Sequence, residues 1–156
     1  MAASAPGPLF TKLVLTVFRL NGALVATGDE LVGDLGLSTA RWQVLGMIVA
    51  GPLTVSGVAR RMGLTRQSVQ RTANCLVADG FAEAVANPDH QTAKLYRLTP
   101  RGERVMAEVG RRQKAWASRL AKGLAAPPLE EAERMLQLLC SRLENELVTK
   151  EVLPCP

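Results

Sequence analysis

The stretch from Thr54 to Gly80 is predicted to form two short helices joined at a glycine, and it constrains the fold more than any other segment. Apolar residues recur there at three- and four-residue spacing on both sides of Gly63, as in helices that bury one face. Gly63 can adopt the positive φ of a tight turn, and Thr65 is a good N-cap for the second helix. The sequence therefore predicts a helix-turn-helix whose second helix spans 65–79.

The polar face of that second helix carries side chains of the kinds that proteins use to bind DNA. These side chains are Arg66, Gln67, Ser68, Gln70, Arg71 and Asn74. In a major groove, arginine pairs with guanine, glutamine and asparagine pair with adenine, and hydroxyls bind phosphate oxygens. A hairpin in a helical bundle can also have a solvated polar face, so the pattern alone leaves two interpretations open.

The charge of the chain is concentrated in and just after this hairpin. Between residues 54 and 112, ten Lys and Arg residues stand against five acidic residues, and the difference equals the net charge of +5 of the whole chain. A surface that binds phosphates needs its positive charge close to the residues that contact the DNA. The distribution favours nucleic-acid binding over a merely solvated face.

Composition and local signals predict a mostly α (α+β) fold. Hydrophobic residues make up 47% of the chain and aromatic residues only 4%, which favours helices packed through Leu, Val and Ala. Besides the hairpin, helices are predicted at 9–28, 38–50, 100–123 and 128–149, and strands at 81–86 and 94–98. Helix, strand, turn and strand outline a winged helix-turn-helix with its wing tip at 87–93.

The expected organisation places DNA binding in the middle of the chain and dimerisation at both ends. Residues 1–8 are expected as a disordered leader, 9–37 and 100–150 as a helical dimerisation region, 38–99 as the DNA-binding domain, and 151–156 as a tail. The last helix has a coiled-coil spacing of apolar residues at Leu129, Ala132, Leu136, Leu139 and Leu143. Such a helix can close a monomer core, but a two-fold dimer built from both termini is the preferred interpretation.

Neither a membrane span nor a secretory signal is predicted. Residues 42–59 carry no charge, but Gly51 and Pro52 interrupt this run before it reaches the length of a span. The N-terminus lacks a basic segment ahead of an apolar core. We therefore expect a soluble protein in the cytoplasm, without a membrane partner.

The sequence also predicts no metal site, no cofactor and no enzyme. One histidine cannot complete a metal cluster of usual spacing, and the three cysteines are far apart, at Cys75, Cys140 and Cys155. A phosphate loop, a dinucleotide fingerprint and the common hydrolase motifs are all missing from the sequence.

Two segments resemble the MarR family of bacterial transcriptional regulators, within a similarity that covers about residues 9–150. They are LTVSGVARRMGLTRQSVQRTANCLVADGFAE and ANPDHQTAKLYRLTPRGE, and the run Leu98–Gly102 is similar to the start of that family's fifth helix. The resemblance implies a homodimer on a palindromic operator in double-stranded DNA, with half-sites about one helical turn apart. It also implies a repressor that a small phenolic or aromatic ligand, or an oxidant, releases.

The resemblance assigns DNA-binding roles to residues of the helix-turn-helix and of the wing. Arg71 matches the arginine that such proteins aim at bases, and its matching neighbours are Thr65, Arg66, Gln67, Ser68 and Gln70. Ser56 lies where N–H groups at the start of a helix can meet a phosphate. The wing departs from the family pattern, because His90, Gln91 and Thr92 replace an Asp-Arg-Arg-like segment. Lys94 is then the basic residue of the wing that is expected to contact DNA.

An effector pocket is implied where the first, second and fifth helices meet the DNA-binding lobe. Its expected residues are Val17, Asn21, Arg41, Trp42, Leu45, Met106 and Gly110, with Arg41 as the partner of a carboxylate. Apolar residues at helical spacing can equally be core. Two other functions stay open. One is a ligand-binding or protein-interaction module of the same fold with weakened DNA binding, and the other is a redox-controlled repressor acting through Cys75, although Cys75 is expected to be buried and inert.

Overall fold

The computed structural model describes the backbone of residues 6–152 and the side chains of residues 6–147. In chain order the elements are α1 Pro6–Val32, a 3-10 turn Gly33–Leu35, α2 Thr39–Ile48, β1 Leu53–Thr54, α3 Val55–Met62, α4 Arg66–Ala78, β2 Ala82–Val85, β3 Leu95–Leu98, α5 Pro100–Leu120 and α6 Ala126–Val152. The predicted class, mostly α with a small antiparallel sheet, is confirmed. The chain divides after Ala115 into two compact units.

Helix α1 is longer at both ends than predicted. It begins at Pro6, so residues 6–8 of the expected leader are helical, while residues 1–5 lie outside the described part of the chain. It also continues through Asp29 and Glu30, which were expected to end it. The reason is that the Asp29 carboxylate is used elsewhere: its Oδ1 accepts a hydrogen bond from the backbone N–H of Thr39 at 2.6 Å.

The junction of α1 with α2 depends on close contact at Thr39. The Thr39 hydroxyl donates to the carbonyl of Val25 at 2.9 Å. A Cβ on Gly28 would lie 2.3 Å from Thr39 Oγ1, so only glycine leaves room for this hydroxyl. The hydrogen bond from the Thr39 N–H holds the pKa of the Asp29 carboxyl below its usual value. These contacts join the C-terminal part of α1 to the start of α2.

The core of the first unit lies between α2, α3, α4 and the sheet. Its largest fully buried side chains include Phe81, Leu45, Leu76 and Val109. On α2, Leu45 and Ile48 are buried and Trp42 is half-buried, whereas Val49 is exposed.

The three-stranded antiparallel sheet has the order β1-β3-β2. Its β1 was not predicted, because two residues are too few for a recognisable strand pattern. The strands β2 and β3 begin one residue later than predicted, and β2 also ends one residue earlier, which leaves 86–94 as the wing loop. Arg97 is paired with Glu83 across the two strands at 2.8 Å, as their register requires.

The Thr-Pro-Arg-Gly run that begins α5 is fixed by contacts with the end of α4 and the start of β2. The Thr99 hydroxyl accepts from the Gly102 N–H at 3.1 Å and donates to the Gly80 carbonyl at 2.7 Å. The Arg101 guanidinium lies 4.5 Å from the centre of the Phe81 ring. These contacts give a structural reason for the run that carries the family resemblance.

The charge-free run 42–59 spans α2, β1 and the start of α3, so it is not one helix. A different segment, Pro6–Leu35, is long and apolar enough for a membrane span. Its most apolar stretch has a mean hydropathy of 1.5, and none of that stretch is buried. This segment was not singled out from the sequence. Lys12 and Arg19 lie about two turns apart in its first half.

In the second unit, α6 begins two residues before its predicted start and runs into the predicted tail, while residues 153–156 lie outside the described range. Its predicted apolar seam is open to solvent in the single chain. The side chains of Leu129, Leu136 and Leu143 are 45%, 39% and 51% exposed.

Candidate nucleic-acid interface

The helix-turn-helix forms as predicted, with hydroxyl caps on both helices. The Thr54 hydroxyl accepts from the Gly57 N–H at 3.0 Å to begin α3, and Thr65 accepts from the Ser68 N–H at 3.2 Å to begin α4. Gly63 ends α3 with a φ of 62°, in the left-handed region that favours glycine. Burial of Val69, Ala73 and Leu76 fixes which face of α4, the recognition helix, points outward.

A groove with a volume of about 630 Å³ lies between the start of α3, the outer face of α4 and the wing. We call it the reading groove. It brings together six of the residues predicted to bind DNA: Ser56, Arg66, Gln67, Gln70, Asn74 and Lys94. Hydroxyl, amide and basic groups thus share one concave surface. Such groups bind phosphate oxygens and base edges.

The other predicted DNA-binding residues lie outside the groove lining. Arg71 is exposed one turn after Gln67 on the same row of α4, so it lies beside the groove on the outward side. Ser68 is exposed and its N–H is used by the Thr65 cap. His90 and Gln91 are exposed on the wing loop, where His90 Nδ1 lies 3.3 Å from the Thr92 hydroxyl.

Three polar residues of the groove were missed: Thr54, Thr92 and Tyr96. Tyr96 is in contact with the recognition helix, because Gln70 Nε2 donates to its phenol oxygen at 2.9 Å. The same amide donates to Asn74 Oδ1 at 2.8 Å. An alternating strand pattern could place Tyr96 on one face of the sheet, but no local signal predicts the contact of Tyr96 with Gln70 of α4.

Within residues 6–147, ion pairs do not neutralise the arginines of the helix-turn-helix. Within residues 6–147, three arginines after the wing take part in ion pairs, namely Arg97 with Glu83, Arg111 with Glu108, and Arg112 with Glu108 and Asp34. In the same range, the arginines of α3 and α4 form no ion pair; they are Arg60, Arg61, Arg66 and Arg71. The basic surface is therefore more localised than the sequence count indicates.

Arg41 was expected to line the effector pocket, but its side chain lies elsewhere. Its guanidinium donates to the Gly36 carbonyl at 3.0 Å and forms an ion pair with Asp79, at the C-terminal end of α4. It also lies 5.8 Å from the centre of the Phe81 ring. These contacts hold α4 against α2, so the Arg41 side chain is already occupied.

Two of the predicted effector residues, Asn21 and Trp42, line a cavity of about 550 Å³. Its other lining residues are Gln43, Gly46, Met47, Arg61, Met62, Leu64 and Gln113. Arg61 is the basic group of this cavity, and it was not among the predicted effector residues. The cavity joins aromatic, thioether and guanidinium groups, which suits an aromatic anion.

The remaining predicted effector residues are not brought together with Asn21 and Trp42. Leu45 is fully buried in the core. Met106 lines a different cavity of about 620 Å³, next to Ile48 and Leu98. Val17 is half-buried and Gly110 is exposed, and neither lines the Trp42 cavity.

The prediction that Cys75 is buried was wrong. The buried residues of α4 are Val69, Ala73 and Leu76, and Cys75 lies off that face, so its thiol is exposed. Cys140 is also a free, exposed thiol, whereas Cys155 lies outside the described residues. Among the side chains of residues 6–147, no group of three His, Cys, Asp or Glu could hold a metal ion.

Comparison with known proteins finds the MarR family. The sequence profile of this family matches residues 35–91, from the 3-10 turn to the wing. An uncharacterized protein of Mycobacterium tuberculosis is 39% identical over 135 residues, which are 86% of this chain and 94% of that protein. The transcriptional activatory protein BadR of Rhodopseudomonas palustris is 28% identical over 108 residues, which are 67% of this chain and 62% of BadR.

Solved structures share the fold at low sequence identity. The transcriptional regulator BldR from Sulfolobus solfataricus has a TM-score of 0.80 at 17% identity, covering 89% of this chain and 99% of its own. A mutant MarR from E. coli complexed with operator DNA has a TM-score of 0.76 at 20% identity, covering 87% and 99%. CouR from Rhodococcus jostii, bound to p-coumaroyl-CoA, has a TM-score of 0.74 at 20% identity, covering 81% and 90%.

The matched profile covers the helix-turn-helix and most of the wing, and the solved structures share the helices on either side. This fold and this family are those of transcription regulators and not of enzymes. The chain belongs to the MarR family of winged-helix transcription regulators.

Proposed function

We propose that the protein is a dimeric, sequence-specific DNA-binding repressor that a small phenolic or aromatic ligand releases from a palindromic operator. The observation that supports this best is the reading groove, in which groups for phosphates and groups for base edges share one concave surface. In this proposal α4 enters the major groove, with Gln67 and Arg71 toward the base edges. The start of α3, at Ser56, meets a phosphate.

The wing contributes less to sequence reading than the recognition helix in this proposal. No arginine lies between residues 86 and 94, so the narrow minor groove, which attracts arginine, is left without its usual partner. Lys94, at the base of the wing, is proposed to contact a flanking phosphate. His90 and Gln91 are proposed to contact the backbone at the wing tip.

A second copy of the chain is proposed to cover the apolar surface of the terminal helices. On α1, Leu15 and Phe18 are 62% and 68% exposed, and on α6 Leu143 and Leu147 are also exposed. Apolar residues so exposed along two long helices mark an interaction surface. Lys12 and Arg19 on α1 favour a protein partner in the cytoplasm over a membrane interior.

The Trp42 cavity is the proposed effector site. An aromatic acid could lie against Trp42 and Met47, with its carboxylate paired with Arg61. Because Arg61 belongs to α3, such a ligand would act directly on the helix-turn-helix. Titration of salicylate into wild-type protein and into Arg61→Gln tests this site, and weaker binding by the variant is expected.

Each of the two other functions has one observation in its favour. The wing without arginine favours an interaction module with weakened DNA binding. The exposed thiol of Cys75 on the recognition helix favours a redox-controlled repressor. The sign of regulation is tested by expression of a reporter gene under the protein's own upstream DNA, and repression by the protein is expected.

A gel shift with the DNA upstream of the protein's own gene tests the main proposal. A saturable complex that resists unrelated competitor DNA is the expected result. A complete lack of binding, even at low salt, would instead favour the interaction module. Loss of binding on treatment with peroxide, abolished by Cys75→Ser, would favour the redox-controlled repressor.

A further inference from the structure

The recognition helix has a hydrogen-bonded link to the sheet, formed by Gln70, Asn74 and Tyr96. Gln70 Nε2 donates to Asn74 Oδ1 at 2.8 Å and to the Tyr96 phenol oxygen at 2.9 Å. A side-chain amide nitrogen has two N–H donors, so these two bonds use both of them. Gln70 is left with its carbonyl oxygen, Oε1, which is an acceptor.

This arrangement changes what Gln70 can read. A glutamine with free donors pairs with adenine through two bonds, donating to N7 and accepting from the N6 amine. Gln70 cannot donate to a base without giving up a bond within the protein. Asn74 is restricted in the opposite way, because its Oδ1 already accepts from Gln70 and its amide nitrogen remains as a donor.

The sheet makes Tyr96 a rigid support for this link. Tyr96 lies on the central strand β3, opposite Leu53 of β1 and Ala84 of β2, and is half-buried. All three side chains of the link line the reading groove. A side chain held in place before binding loses less conformational freedom when DNA arrives.

We propose that Tyr96 is a specificity-determining residue: by accepting from Gln70, it leaves Gln70 as an acceptor toward the bases. Gln70 then selects a base with an exocyclic amine in the major groove, which is adenine or cytosine, against guanine and thymine at that position. This role rests on the proposed function, since it requires α4 to lie in a major groove. Tyr96 itself acts through Gln70 and is a positioning residue.

The test begins with selection of duplexes from a random library by the wild-type protein. Affinities for every single-base variant of the selected site are then measured with wild type, Tyr96→Phe, Gln70→Ala and the double variant. Wild type is expected to prefer adenine or cytosine at one position by about tenfold. Gln70→Ala should abolish this preference. Tyr96→Phe frees one N–H of Gln70 for adenine N7, so it should shift the preference severalfold from cytosine toward adenine at the same position only.

The double variant and a control separate positioning from general damage. In the Gln70→Ala protein, Tyr96→Phe should cause no further change in base preference, because the Tyr96 hydroxyl acts only through the Gln70 amide. Thr92→Val removes another hydroxyl of the groove that is not bonded to Gln70, and it should leave the preference at that position unchanged. The ring of phenylalanine preserves packing, so the unfolding temperature of Tyr96→Phe should match that of wild type.

Three results would overturn the inference. An unchanged preference in a folded Tyr96→Phe protein would show that the hydroxyl does not orient Gln70. A preference for guanine or thymine at the position that Gln70→Ala relaxes would show that Gln70 acts as a donor. If the wild-type protein enriches no motif, the proposed function fails and the role of Tyr96 fails with it, whereas the first two results overturn the role of Tyr96 alone.

Discussion

Gly102 lies so close to Phe81 that a Cβ on it would be 2.0 Å from the Phe81 carbonyl oxygen. That oxygen also accepts from the Thr99 N–H at 3.1 Å, so it cannot move away without loss of the helix start. The glycine therefore lets α5 approach the start of β2. This contact joins a helix of the expected dimerisation region to the DNA-binding domain.

Gly102→Ala should destabilise the protein by about 1–3 kcal/mol, because the added methyl group overlaps a backbone atom. Urea unfolding at fixed protein concentration measures the change. Gly110→Ala is the matched control, since Gly110 is exposed in the same helix and a Cβ added there would meet nothing within 4 Å. The control should raise stability by about 0.5–1 kcal/mol through helix propensity. Equal effects of the two substitutions would contradict the close contact.

Arg71→Ala and Lys94→Ala should weaken DNA binding in different ways. Arg71→Ala should lower affinity and relax preference at one base pair by about 1–3 kcal/mol, because a base contact is lost. Lys94→Ala should weaken binding to all sequences alike and reduce the salt slope by about 1, because a phosphate contact is lost. Anisotropy titrations at several salt concentrations distinguish the two. Uniform weakening by Arg71→Ala would show that Arg71 binds only phosphate.

The pair of Asp34 and Arg112 should make stability depend on pH in acid. Two bonds, at 2.6 and 2.9 Å, join the guanidinium to the carboxylate, and the pKa of Asp34 is lowered by this hydrogen bonding. A lowered pKa in the folded state means that the stabilisation is fully present above the unfolded value, about 3.9, and is lost as pH falls through the folded value.

Asp34→Asn should therefore be less stable than wild type at pH 7, and the difference should shrink below about pH 4. Urea unfolding at both pH values measures it. Asp89→Asn is the control, since Asp89 is exposed on the wing and forms none of the ion pairs within residues 6–147. A difference between wild type and Asp34→Asn that stays constant down to about pH 3 would argue against the pair as its cause.

Leu143→Arg should weaken self-association by about 2 kcal/mol or more, because removing an arginine from water without a partner is unfavourable. Sedimentation velocity over a range of concentrations measures the change. Ser141→Arg adds the same charge on the opposite side of α6, away from the seam, and should leave the dimer intact. A Leu143→Arg protein that remains dimeric would exclude the α6 seam as the interface.

The sequence predicted the parts of the fold that depend on local signals. Thr65 caps α4 as a hydroxyl residue does, Gly63 has the positive φ of its turn, and the apolar stripe of α4 fixes the face that bears Gln67 and Gln70. The fold class followed from the order of such signals, and the family from the resemblance of two segments to known sequences.

What the sequence did not predict depends on contacts between distant residues. Asp29 lies inside α1 because its carboxylate accepts a hydrogen bond from the Thr39 N–H. The local sequence signals for a helix end do not predict this contact. Arg41 was assigned to a pocket by position, but the ion pair with Asp79 occupies it. Tyr96 was missed because its hydrogen bond with Gln70 joins residues 26 positions apart, and no local pattern predicts such a contact.

Dimeric, sequence-specific DNA binding is tested most directly by a hydroxyl-radical footprint of the wild-type protein on a duplex that it selects. Two protected half-sites, related by a two-fold axis and about one helical turn apart, are expected, since two copies of α4 would enter successive major grooves. Protection of a single half-site would contradict the dimer, and no protection at saturating protein would contradict sequence-specific DNA binding itself.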